Sequence, residues 1–300
     1  MKSYLVLACV ICFLVGCGAE PMPTERDTPA LPTATPVPPT PTPSAGDTRV
    51  REIDGMVMVY VPAGEFLMGS TDGDPDADDR EKPQHAVYLD AFWIDKYEVT
   101  NAQYRACVEA GACEEPECWD DDDCNAPDQP VVCVSWYDAQ DYAVWVGGQL
   151  PTEAQWENAA RGTDGQIYPW GNNPPDCDKA NYGDCAVKPL PVGSHPDGAS
   201  PYGVLDMAGN VWEWVADRYD GDYYSQSPSR NPQGPESGDS HVLRGGSWGW
   251  KQMVVRCAHR FYNGPFPSFN WWGFRVVVAP TPMLTETPVS TSTPKLPTET

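Results

Sequence analysis

The chain has 300 residues, with 19 Lys and Arg against 43 Asp and Glu, a formal net charge of −24. That balance argues against nucleic acid as a partner and against electrostatic attraction to an anionic lipid surface. It leaves an acidic, exported-type composition with enough apolar residues for one sizeable core.

In chain order, residues 1–16 read as a signal peptide: Lys2 supplies the positive start and "YLVLACVICFLVG" a short apolar core, too short to cross a bilayer as a helix. "LVGC", Leu14 to Cys17, has the form of a bacterial lipobox. Cys17 is therefore expected to carry lipid, tethering an exported protein to the cell envelope on the outer side of the cytoplasmic membrane. Residues 17–48 and 280–300 are Pro/Thr-rich tracts that cannot offset ordering entropy by burial, so the first is expected to be a spacer and the second a disordered tail. One domain, residues 49–279, lies between them.

Within it, "MVMVYVPAGEFLMG" (Met56 to Gly69) predicts a hairpin around Pro-Ala-Gly, and "HAVYLDAFWIDKYEVT" (His85 to Thr100) a second strand pair. Three helices are punctuated by capping pairs and glycine stops: Thr100 with Gln103 to Gly111, Ser135 with Asp138 to Gly147, and Thr152 with Gln155 to Gly162. After Gly162, Gly, Pro, Asn and aromatics dominate, which predicts long irregular loops. The acidic run Asp72 to Asp79 lacks the glycine and terminal glutamate of an EF-hand and reads as a solvated loop.

Eight cysteines lie in the domain: Cys107, Cys113, Cys118, Cys124, Cys133, Cys177, Cys185 and Cys257. An even set in an exported domain favours disulfides. Their connectivity is open, with short-range pairing of Cys177 with Cys185, and of some among Cys107 to Cys124, the plausible part. "CEEPECWDDDDC" lacks the short gaps of a zinc knuckle.

The ordered segments "MVYVPAGEFLMGS", "FWIDKYEVTNAQY", "PVVCVSWYDAQDYAVWVGGQLPTEAQWENAARG", "YPWGN", "YGVLDMAGNVWEWVAD", "RGGSW" and "GFRV" resemble the formylglycine-generating enzyme, or sulfatase-modifying factor, family across Met56 to Val278. The resemblance implies an α+β, loop-rich variant of the C-type-lectin-like fold, low in regular secondary structure and stabilised by disulfides and calcium. In the oxidases of this family, one copper-binding cysteine lies three residues after the serine of "RGGS" and a second five residues further. Counted from Ser247, those positions hold Trp250 and Val255, and the stretch to the arginine of "RCAHR" is shorter. Tryptophan cannot replace a thiolate as a soft-metal ligand, so neither copper nor a catalytic cysteine pair is expected. Cys257 matches a family disulfide cysteine whose partner position, near Ala160, is not cysteine here. A second branch of the family holds iron with three histidines, but His85, His195, His241 and His259 show no such spacing, so iron is not expected either.

The turn "DMAGNVWEW" survives. Asp206 and Glu213, with the carbonyls of Gly209 and Val211, form a hard-oxygen set suited to a structural Ca²⁺, and the resemblance points to the same positions. A second family calcium is matched by Asn181 and Tyr182, although its later ligands fall in a shortened loop.

Between the fixed frames lies an aromatic run. In the parent fold this region lines the substrate groove. Trp250, Lys251, Met253, Phe261, Tyr262, Phe266, Phe269, Trp271 and Trp272 are the expected ligand contacts, while Trp248 and Phe274 are expected in the core. The arrangement also resembles variable ligand-binding lipoproteins of the same fold, diversified in this segment. The sequence thus points to a lipid-anchored, non-catalytic module recognising a protein, peptide or glycan. The alternative is a formylglycine-generating-type oxidoreductase acting on a cysteine of a sulfatase or other protein.

Overall fold

A computed structural model describes residues 42–280. The signal peptide, Cys17, most of the spacer and residues 281–300 lie outside the described residues. β1 (Thr48–Val50) begins one residue before the expected domain start, and Gly46 already donates to the Tyr60 carbonyl.

β2 (Val57–Val61) and β3 (Gly64–Met68) do not form the expected hairpin with each other. Nor do β4 (His85–Leu89) and β5 (Phe92–Asp95). Instead β2 pairs with β5 and β3 with β4, both antiparallel, so two long strands run side by side and bend together at Pro62-Ala63 and Asp90-Ala91. Pro62 has no N–H to donate, which breaks the ladder at the bend without turning the chain back. The cross-strand pair Tyr60–Trp93, with ring centroids 5.1 Å apart, fixes the register.

The three helices match their sequence signals. α1 (Asn101–Glu109), α2 (Trp136–Trp145) and α3 (Glu153–Arg161) each carry a complete capping box, on Thr100, Ser135 and Thr152. The expected glycine stops Gly111, Gly147 and Gly162 all have positive φ. β6 (Trp212–Arg218), β7 (His241–Arg244), β8 (Phe261–Asn263) and β9 (Trp272–Phe274) form a sheet in the order β8-β7-β6-β9, and β10 (Val277–Val278) closes the first sheet against β5. Irregular loops were expected after Gly162, yet β6 to β10 lie there, because their ladders are completed by strands distant in the chain; most of the remainder is loop.

Two apolar cores flank these sheets, one around Trp212, Trp214 and Phe274, the other around Phe92, Trp156 and Val242. Between them runs a lattice of buried ion pairs. Arg244 meets Glu157 at 2.5 Å, and Arg256, Arg260 and Arg275 meet Glu81, Glu153 and Glu213 at 2.7 Å each. The arginines of "RGGSW", "VRCAHR" and "GFRV" are thus structural braces.

Disulfides join Cys107–Cys113, Cys118–Cys133 and Cys177–Cys185. Cys124 and Cys257 are buried free thiols, for Cys257 one of the two alternatives that its missing family partner leaves. Cys124 packs beside Cys118 and Cys133, which already bond to each other. Cys257 is enclosed in a core cluster containing no second cysteine. Burial pushes its thiol up to about 12, leaving it unreactive.

Candidate functional site

The aromatic run emerges mainly at the surface. Trp250 stands edge-on to the buried Trp212 at 6.0 Å and tilts against Phe261 at 5.6 Å. Tyr262, on the outer strand β8, is exposed and stacks on Tyr219 at 3.8 Å. Phe266, 76% exposed, leans on Tyr137 at 5.2 Å. Lys251 and Met253 are exposed on the short turn after Trp250. Phe269 is exposed and stacked on the half-buried Trp271 at 5.2 Å.

Trp272 does not belong to this surface. It is 2% exposed and packs against Trp214 at 5.1 Å, because β9 pairs with β6 and turns that ring into the core. Phe274 is core as expected, whereas Trp248 is only half-buried, its indole N–H donating to the Asn270 carbonyl.

Three contributors were not legible beforehand: Trp136 and Tyr137 at the start of α2, and Tyr219 after β6. Tyr137 does carry a faint signal, since it falls off the buried stripe of Ala139, Tyr142 and Ala143. Trp136 stacks on His241 at 3.9 Å, and burial pushes that imidazole down to about 4.

Trp250 presents an exposed indole, and Val255 is fully buried, lying over Gly246. The histidines are scattered. His85 lies against Tyr224, His195 beside the Asp178 carbonyl, and His259 Nδ1 sits 3.2 Å from Glu81. Among the described residues, no group of three or more His, Cys, Asp or Glu side chains is placed to hold a metal. A cation at the turn would therefore draw part of its ligand set from backbone carbonyls.

That turn is tightly specified. Asp206, Gly209 and Asn210 all have positive φ, and a Cβ on Gly209 would lie 2.2 Å from the Asn181 carbonyl oxygen. Asp206 accepts from the Gly193 N–H at 2.6 Å through one oxygen. Glu213 is not free: it accepts from Arg275 through both oxygens and from the Trp156 indole, which leaves acceptor capacity mainly on Oε1. Glu98, fully buried, accepts from Asn210 and from the Val211 N–H. Burial, then the neighbouring carboxylates Asp206 and Glu213, push the Glu98 carboxyl well up, and burial raises Asp206 likewise. Asn181 Oδ1 is buried with no hydrogen-bond partner. A surplus of buried carboxylate and an orphaned amide oxygen fit a hard cation.

A cavity of about 230 Å³ lies elsewhere, lined by Asp90, Gln149, Gln155 and Asn231 together with Phe92 and Val277, and by none of the exposed aromatics.

Residues 44–280 match the sulfatase-modifying factor enzyme 1-like domain. The chain belongs to this family. It is 34% identical over 278 residues to the formylglycine-generating enzyme of Streptomyces coelicolor, covering 72% of this chain and 87% of that one. It is 38% identical over 238 residues to the serine/threonine-protein kinase pkn1 of Chlamydia caviae, covering 73% of this chain but spanning only 37% of the kinase's length. Among solved structures it resembles PvdO of Pseudomonas aeruginosa, with a TM-score of 0.69 and 29% identity over 79% of this chain and 99% of that one.

Proposed function

We propose that this protein is a non-catalytic recognition module of the sulfatase-modifying factor family, exported and held at the envelope by lipid on Cys17, with a structural Ca²⁺ at the Asp206–Glu213 turn. The observation that carries the reading is the substitution of chemistry by surface. Position 250 bears an indole that is 37% exposed and continuous with Phe261, and position 255 bears a buried valine. Clustered exposed aromatics give large contact area at low entropic cost and mark recognition surfaces. The burial of Cys124 and Cys257, with Trp250 and Val255 at the positions where the resemblance puts thiolates, favours recognition over copper chemistry.

The test is elemental analysis of the mature protein after exposure to calcium, copper and iron, alongside incubation with a cysteine-containing sulfatase peptide. Calcium at roughly one per chain, with the peptide recovered unchanged, is the expected result. Formylglycine in the peptide would replace this reading with the oxidoreductase one.

A further inference from the structure

We propose that β8 is a strand-addition site for an extended, basic segment of a partner polypeptide, whose apolar residues seat on the flanking aromatics. The inference deepens the recognition reading and rests on it.

β8 is the edge of its sheet, paired only with β7 through Leu243–Phe261, Val242–Tyr262 and His241–Asn263. Apart from that ladder, the backbone of Phe261, Tyr262 and Asn263 makes no hydrogen bond among the described residues. An open edge is a template for another strand, and proteins commonly blunt such edges with lysine, proline or a bulge. The sequence "FYN" carries none of these, and only its three-residue length limits the edge. Its shortness admits roughly two or three added backbone hydrogen bonds, so side chains must supply much of the affinity.

Those side chains are in place on both flanks. Tyr262 is backed by Tyr219, and Trp250 meets Phe261. On the other flank, Trp136 donates its backbone N–H to the Pro265 carbonyl and abuts Tyr137, which supports the protruding Phe266. Unpaired amides bordered by exposed rings suit a polypeptide strand better than a sugar, which has no ladder to complete.

Charge decides which polypeptide. Asp220 and the exposed Asp222 follow Tyr219, and the exposed Asp141 lies one helical turn from Tyr137. Of the basic groups nearby, Arg80 is paired with Asp78, Arg260 is buried against Glu153 and Arg218 is engaged with the Gly238 carbonyl, which leaves Lys251. With −24 on every chain, pairing of β8 with a second copy is opposed by repulsion, while a basic segment is attracted.

The experiment selects random linear peptides displayed on phage against the mature protein, then remakes the best binder with each backbone nitrogen methylated in turn. Strand addition directs only alternate amides at the sheet. The expected result is a basic, aromatic-containing peptide that loses at least roughly tenfold in affinity at every second methylated position, and as much against Tyr262→Ala or Phe266→Ala. Peptides that bind with no alternating pattern would overturn strand addition while leaving the recognition surface intact. Glycans bound in place of peptides would overturn the polypeptide partner but keep that surface. Concentration-dependent dimerisation that protects the amides of 261–263 from hydrogen exchange would assign the edge to a second copy. Conversion of the peptides' cysteines, with no retention at the aromatics, would remove the recognition reading itself.

Discussion

Glu81 is buried among Arg256, His259 and Ser70. Burial pushes its carboxyl up, but His259 and Arg256 outweigh burial and hold it down at about 2, against an ordinary value of 4.5. A depressed folded value means that its contribution is complete above pH 4.5 and is lost as pH falls toward 2. The shift corresponds to about 3 kcal/mol. Denaturation between pH 2 and 5 should therefore be shallower in Glu81→Gln than in the parent, on a lower baseline, because Arg256 loses its buried counter-charge at a cost of about 3–5 kcal/mol. Urea titrations at several pH values check both parts. At the surface the signs reverse. Phe266→Ala should change stability by no more than about 0.5 kcal/mol while weakening ligand capture, as thermal melts and binding to a selected peptide would show. Cys124 and Cys257 should resist a thiol reagent in the native protein and react only after denaturation, adding two thiols per chain.

Local signals and long-range pairing part company at the elements. Each helix was readable because its start and stop are written within about four residues: a hydroxyl that caps, a side chain that reaches back, a glycine free to take positive φ. Removing the cap of α2 with Ser135→Ala should cost about 1 kcal/mol. Strands β2 to β5 were readable as strands but not as partners, and β6 to β10, in the Gly-, Pro- and Asn-rich part of the chain, were not readable at all. β2 and β3 alternate as a hairpin would, yet their ladders are completed by β5 and β4, on the far side of the acidic loop. The turn after Asp206 is more exacting: Gly209→Ala drives a methyl into the Asn181 carbonyl and should cost more than about 3 kcal/mol, read as a collapse of the melting transition.

Across the whole molecule, loops outweigh ladders, so disulfides, the buried ion pairs and the proposed calcium share the work of holding the fold. Chelation should lower the melting temperature, and Ca²⁺ should restore it better than Mg²⁺, because Mg²⁺ demands a stricter octahedral shell. What the sequence determined by itself was the set of helices, the strand segments β2 to β5, and the family. Each of these rests on residue identity or on interactions within one helical turn. Tertiary structure alone decided which strands pair, that Trp272 turns inward while Phe266 stays out, that Cys124 and Cys257 remain unpaired, and which carboxylate each buried arginine meets. Those outcomes depend on groups far apart in the chain, such as Arg256 and Glu81, 175 residues from each other, and on burial that only the assembled core creates.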